Sequence, residues 1–138
     1  MNLNESRILD FIVNEIEVEE GIVLKFVQEK TVPPAVQDEL WENYPETLLK
    51  LAPKMTLTED VTIKMIKSKN PLFLKVVMTK SLTEVEQLAI VEIVPELIKE
   101  YQDSLAEEDC LFPEVEKAYR KAKEENPQLP DITYIWTD

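Results

Sequence analysis

The chain has no histidine and only one cysteine and one glycine among its 138 residues. Without imidazole there is no Ser-His or Cys-His catalytic pair, no His-ligated zinc and no side chain whose unperturbed pKa lies near neutrality. Any catalysis would rest on carboxylates, Lys or Tyr. Cys110 stands alone, which excludes an internal disulfide and a cysteine metal cluster. A single glycine cannot build a Gly-rich phosphate loop, and beside nine prolines it leaves few positions that tolerate positive φ, so hairpin-rich sheet is not expected to dominate. No stretch approaches the roughly 20 apolar residues of a membrane helix. The start, MNLNESRILDF, also lacks the basic-then-apolar pattern of a secretion signal, so the expected location is the cytoplasm.

What is present reads as one helical domain, residues 1–138, with an ordinary apolar fraction of 44%. The 28 acidic and 15 basic residues give a net charge of −13. An acidic field disfavours direct binding to nucleic acid or anionic lipid and favours encounters with basic partners. By segment the charge is −4 over 1–31, −2 over 32–56, +3 over 57–81, −5 over 82–104 and −5 over 105–138. The centre is a basic island in an acidic chain.

The island has an internal echo. LNESRILDFI from Leu3, VPPAVQDELW from Val32, LTEDVTIKMI from Leu57 and LTEVEQLAIV from Leu82 begin 29, 25 and 25 residues apart. Each opens on an apolar residue and a capping or turn residue, then an apolar stripe. Thr58 and Thr83 are expected N-caps, with Glu86 completing a capping box. The second halves also correspond: YPETLLKLA, NPLFLKVVM, VPELIKEYQ and FPEVEKAYR. Proline suits the first helical position and keeps the preceding residue out of helical geometry, so each X-Pro opens a second helix. Counted from these prolines, Phe73, Leu97 and Val115 fall at the second position and Leu51, Val77, Tyr101 and Tyr119 at the sixth, on one helical face. In the first unit Gly21 divides the two helices.

A two-helix unit of about 25 residues must stack on its neighbours to bury its apolar face. The expected fold is all-α: a short right-handed α-solenoid of about four units (3–31, 32–56, 57–81, 82–104) with a C-terminal cap and extended tail over 105–138. An irregular helical bundle is the alternative, and EIEVEEGIVLKFVQ (15–28) also scans as alternating strands. The Leu-Thr-Glu start and mid-unit Asn-Pro of LTEDVTIKMIKSKNPLFLKVVMTKS resemble the variant leucine-rich repeat and HEAT-like helical repeats over roughly residues 32–104. The resemblance implies a binding scaffold with no shared catalytic residues.

Candidate chemistry is sparse. EIEVEE (15–20) and AEEDC (106–110) lack the alternating oxygen ligands and central glycine of a calcium loop and read as solvated helix faces or ends. No metal, cofactor or catalytic residue is expected. At the fourth position after successive prolines stand Lys75, Lys99 and Lys117, with Lys50 one step out of register. They read either as a basic ladder for an acidic peptide or phosphate, or as lysines paired with Glu46, Glu96 and Glu114; Lys75 has no acid three or four residues away. In the unit alignment Lys67 matches Glu42 and Glu92, and Lys64 matches Glu39 and Asp10, so the island could serve register through ion pairs. Pro127 and Pro130 make 126–138 extended, with Ile132, Tyr134 and Trp136 on alternate positions, either as a cap over the last helices or as a motif for a partner. The expected function is a non-catalytic protein-interaction module, an adaptor, assembly chaperone or inhibitor, with another protein as partner and with Phe73, if exposed, Lys75, Lys99, Lys117, Tyr134 and Trp136 as contacts. The alternative is an acidic mimic of nucleic acid that inhibits a DNA- or RNA-binding protein, as small phage or mobile-element proteins do.

Overall fold

Caps and prolines decide where each helix begins. The computed structural model describes residues 1–136; Thr137 and Asp138 lie outside the described residues, as does that end of the expected tail. Among the described residues there are nine α-helices, one 3-10 turn and no strand. They are α1 (Leu3–Glu15), α2 (Glu20–Glu29), α3 (Pro34–Asn43), α4 (Pro45–Leu51), α5 (Glu59–Ser68), α6 (Pro71–Val77), α7 (Glu84–Ile93), the 3-10 turn Pro95–Leu97, α8 (Ile98–Ser104) and α9 (Pro113–Glu125). Pro34, Pro45, Pro71, Pro95 and Pro113 each open an element. The Thr58 hydroxyl accepts the Val61 N–H at 3.2 Å, and Thr83 with Glu86 forms the expected capping box. None of these helices is long and apolar enough to cross a membrane.

Three local expectations change. The cap of α1 is Asn2, whose side chain accepts the Glu5 N–H while Glu5 accepts the Asn2 N–H, both at 2.8 Å. Leu3 is therefore a first-turn residue, 68% exposed, and the alignment from Leu3 starts too late. Residues 15–28 are not strands, and Gly21 is not the divider. It sits within α2, and the chain reverses just before it, at 16–19. A helix tolerates glycine in its first turn, where few backbone bonds depend on it.

The chain forms two compact units, 1–61 and 62–138, with the boundary inside α5. In the first, α1 packs on α2 and α3, α4 packs on α2 and α3, and Ile12, Val23, Val36, Leu40, Leu48 and Leu51 fill the core. Gln37 is buried there. Its Nε2 donates to the carbonyls of Val32 and Thr56, both at 3.0 Å, and its Oε1 accepts the Thr58 N–H at 2.9 Å. One amide thus ties the loop after α4 to α3.

In the second unit α7 packs against the 3-10 turn, α8 and α9 around Ile90, Ile98, Tyr101, Val115 and Tyr119. Gln87 donates to the Leu82 carbonyl at 3.1 Å, as Gln37 does to Val32, each five residues after its segment head. The Tyr101 hydroxyl accepts the Leu82 N–H at 3.0 Å. Of the apolar face counted from the prolines, Leu51, Phe73, Val77, Tyr101, Val115 and Tyr119 are core residues, and Leu97 is half-buried.

Candidate functional site

The candidate site is the face of the second unit formed by α8, α9 and the tail. It is built around an acid in an unexpected place. Three residues after the opening proline of α4, α6 and the 3-10 turn stand Leu48, Leu74 and Ile98, all buried; the matching residue of α9 is Glu116, 0% exposed. Its carboxylate accepts the main-chain N–H of Ile135 at 2.9 and 3.1 Å and that of Trp136 at 3.0 Å. Two charge-assisted hydrogen bonds offset the removal of the carboxylate from water.

Neighbouring side chains hold the rest of the tail in the same manner. Gln102 donates to the Thr133 carbonyl at 2.8 Å and accepts the Thr133 N–H at 2.9 Å. The Tyr119 hydroxyl donates to the Pro130 carbonyl. Lys123 donates to the Leu129 carbonyl at 2.6 Å and pairs with Asp131 at 3.0 Å. Leu129 and Ile132 are buried, and the Arg120 guanidinium lies over the Tyr134 ring, 4.4 Å from its centroid. Burial pushes the Tyr119 phenol upward, with the neighbouring Tyr134, Asp131 and Glu96 adding to it.

The tail is non-helical and folded back, as a cap would be, but its tip stays in solvent. Ile135 and Trp136 are 58% and 52% exposed. The Trp136 indole N–H nonetheless donates to the Leu111 carbonyl at 2.7 Å, one residue from the exposed Phe112. The indole is therefore fixed in place while half its surface remains open.

Of the other expected contacts, Lys99 stands on α8 and Lys117 on α9, whereas Phe73 and Lys75 belong to α6. Phe73 is 6% exposed and belongs to the core, because the face that buries Val77 one turn later buries it too. Lys99 pairs with Asp103 at 2.5 Å, not with Glu96, which lies in the 3-10 turn outside the register of α8. Lys117 pairs with Glu114 at 3.4 Å, as expected, and Lys50 with Glu17 at 3.7 Å, not with Glu46. Lys75 is exposed on the rim of an apolar groove of about 310 Å³ formed by Pro71, Leu74, Met78 and Leu97, with Glu100 also at its edge. Among the described residues Lys67 forms no ion pair, so the expected link to Glu92 is absent; both side chains are exposed, where such a pair gains little. No group of three or more acids or Cys among the described residues is placed to hold a metal ion.

Sequence reasoning missed Glu116 and Gln102. The offset from Pro113 carried a signal for the first, an acid where three other segments place Leu or Ile. Gln102 has none, because its partner is main chain 31 residues away. Comparison with protein-family models, curated proteins and solved structures finds no match, so the likeness to helical repeats is assigned to no family.

Proposed function

We propose that the chain is a non-catalytic protein-interaction module, a short stack of related two-helix units, that engages a basic partner protein through its C-terminal face. Two matched amides support the related units: Gln37 and Gln87 bond the carbonyl five residues before them, and the buried Thr62 stands midway between them in sequence. The observation that carries the functional reading is Trp136, an aromatic half open to solvent with both its N–H groups already fixed. A preordered aromatic loses little freedom on binding and is the side chain most enriched at interface hot spots. Its sequence neighbour Ile135 is exposed as well, as is Phe112, which follows the Leu111 that bonds the indole, and the exposed Glu107, Glu108, Asp109 and Glu114 flank Phe112 in sequence. That combination suits an apolar pocket rimmed by Lys or Arg, with salt weakening the encounter.

The test is affinity capture with the full chain, Trp136→Ala and Lys75→Glu at two salt concentrations. A basic protein is expected to be retained by the full chain and by Lys75→Glu, lost with Trp136→Ala and weakened by salt. Retention by Trp136→Ala with loss by Lys75→Glu would move the contact to the α6 groove and overturn this reading. The competing role as a nucleic-acid mimic draws on the −5 charge of each of the last two segments. The exposed Lys67, Lys69 and Lys75 interrupt the negative surface such a mimic needs.

A further inference from the structure

The groove of about 310 Å³ beside α6 combines an apolar lining with two unspent charges. Pro71, Leu74 and Met78 line it from the α6 side and Leu97 from the 3-10 turn, while Lys75 of α6 and Glu100 of α8 add one cation and one anion. Both charged side chains are exposed, and among the described residues neither forms an ion pair or a hydrogen bond, with the other or with any third residue. No opposite charge stands three or four residues from either, and Lys99, the cation next to Glu100, is engaged by Asp103. We infer that this groove binds a free α-amino acid with an apolar side chain, its carboxylate on Lys75, its ammonium on Glu100 and its side chain against Leu74, Met78 and Leu97.

The ligand class follows from the two charges and the lining taken together. A phosphate drawn to Lys75 meets Glu100 in the same groove, and a simple amine drawn to Glu100 meets Lys75, so a ligand of one sign is opposed by the like charge. A ligand that carries both signs satisfies both residues through charge-assisted hydrogen bonds. Peptide main chain carries no charge in mid-chain and one at a terminus. A free amino acid carries both on a single carbon, together with one side chain that the apolar lining removes from water. Size agrees with this, because the volume lies at the lower end of the roughly 300–1,000 Å³ of small-molecule sites and suits a ligand well below nucleotide dimensions. The groove shares no residue with the Trp136 surface, so the two readings stand or fall separately.

The experiment titrates the isotope-labelled full chain with leucine and with phenylalanine and follows the main-chain amide resonances. Saturable shifts are expected at Leu74, Lys75, Met78, Leu97 and Glu100, with a dissociation constant of about 1 mM or below. N-acetyl-leucine lacks the ammonium, leucinamide the carboxylate and glycine the side chain, and each should bind at least roughly tenfold more weakly, a factor that one lost charge-assisted contact supplies. Inorganic phosphate should leave these resonances in place. Lys75→Met should remove the preference for leucine over leucinamide, and Glu100→Gln the preference for leucine over N-acetyl-leucine, with the helical circular dichroism unchanged because both residues are exposed. Shifts that do not saturate, or that centre on other residues, overturn the inference. So does equal binding of leucine and its two blocked derivatives, which would reduce the groove to an apolar surface on which Lys75 and Glu100 have no part.

Discussion

Glu116→Gln is a nearly isosteric test of what holds the tail. The carboxylate receives two main-chain N–H groups at 2.9 to 3.1 Å. A hydrogen bond to a charged acceptor contributes about 1.5–3 kcal/mol net, and one to a neutral acceptor about 0.5–1.5 kcal/mol. Neutralising the acceptor of two such bonds should therefore weaken docking by about 2 kcal/mol, which corresponds to a rise of roughly 30-fold in tail opening. Native-state hydrogen exchange reads this residue by residue: Ile135 and Trp136 amides should exchange roughly 30-fold faster, with the Leu82 and Ile98 amides unchanged. Glu116→Leu sharpens the test, because Leu48, Leu74 and Ile98 are the buried residues at the same offset. It restores an apolar side chain and removes a buried charge, so the helices should keep most of their stability while the tail amides lose protection. If the tail amides of the unmodified chain exchange like those of an unstructured peptide, or Glu116→Gln leaves them unchanged, the clamp contributes nothing and the argument fails.

Replacing Gln37 by Met keeps its volume and deletes three hydrogen bonds; with the Val32 carbonyl buried and the other two partners nearer to water, a loss of about 2–4 kcal/mol in urea unfolding is expected, and a loss below about 0.5 kcal/mol would show the amide to be incidental. Lys69 ends α5 with a φ of 58°, a conformation that favours glycine, so Lys69→Gly should stabilise by about 1 kcal/mol. Gly21, in contrast, lies in a helix with nothing within 4 Å of the place an added methyl would take, and Gly21→Ala should raise the urea midpoint by an amount equivalent to about 0.5 kcal/mol. Burial, as the first cause, raises the Tyr101 and Tyr119 phenols above their ordinary 10.0, so the unfolded chain ionises first on alkalinisation. Their contribution to stability is complete below pH 10.0 and is lost as pH rises through the folded-state values, which urea midpoints followed from pH 9 upward would show as a decline.

Helix starts were legible because their signals are local. A Thr with Glu three residues on, or an X-Pro before an apolar stripe, fixes φ and satisfies orphan N–H groups within one turn, so α3, α4, α6, α7 and α9 begin as their residues dictate. The same rule explains the error at α1. Asn2 and Asn4 are both plausible caps, and only Asn2 has a Glu three residues on, the pairing that closes the box. Gly21 misled for a related reason: a lone glycine reads as a breaker in a string, whereas a first-turn position removes most of the penalty that makes it one.

The candidate site was less legible because its partners are backbone. Trp136 and Tyr134 stand out by composition, but what orients them is a carboxylate 20 residues upstream of Trp136 and an amide 31 residues upstream of Thr133, each bonding to groups that every residue carries. Such contacts impose no pattern on the tail except that it be extended, which Pro127 and Pro130 do supply. The one deviation that the sequence displays is on the receptor side. An acid between Val115 and Lys117 looks like part of a solvated face until its offset from Pro113 is set beside Leu48, Leu74 and Ile98. Glu116 stands in the first turn of α9, where the Val115 and Glu116 N–H groups already donate to the Phe112 carbonyl, and its buried charge takes its donors from outside the helix. Non-helical main chain is the donor such a position selects, and the only non-helical segment following α9 among the described residues is the one that ends in Ile135 and Trp136.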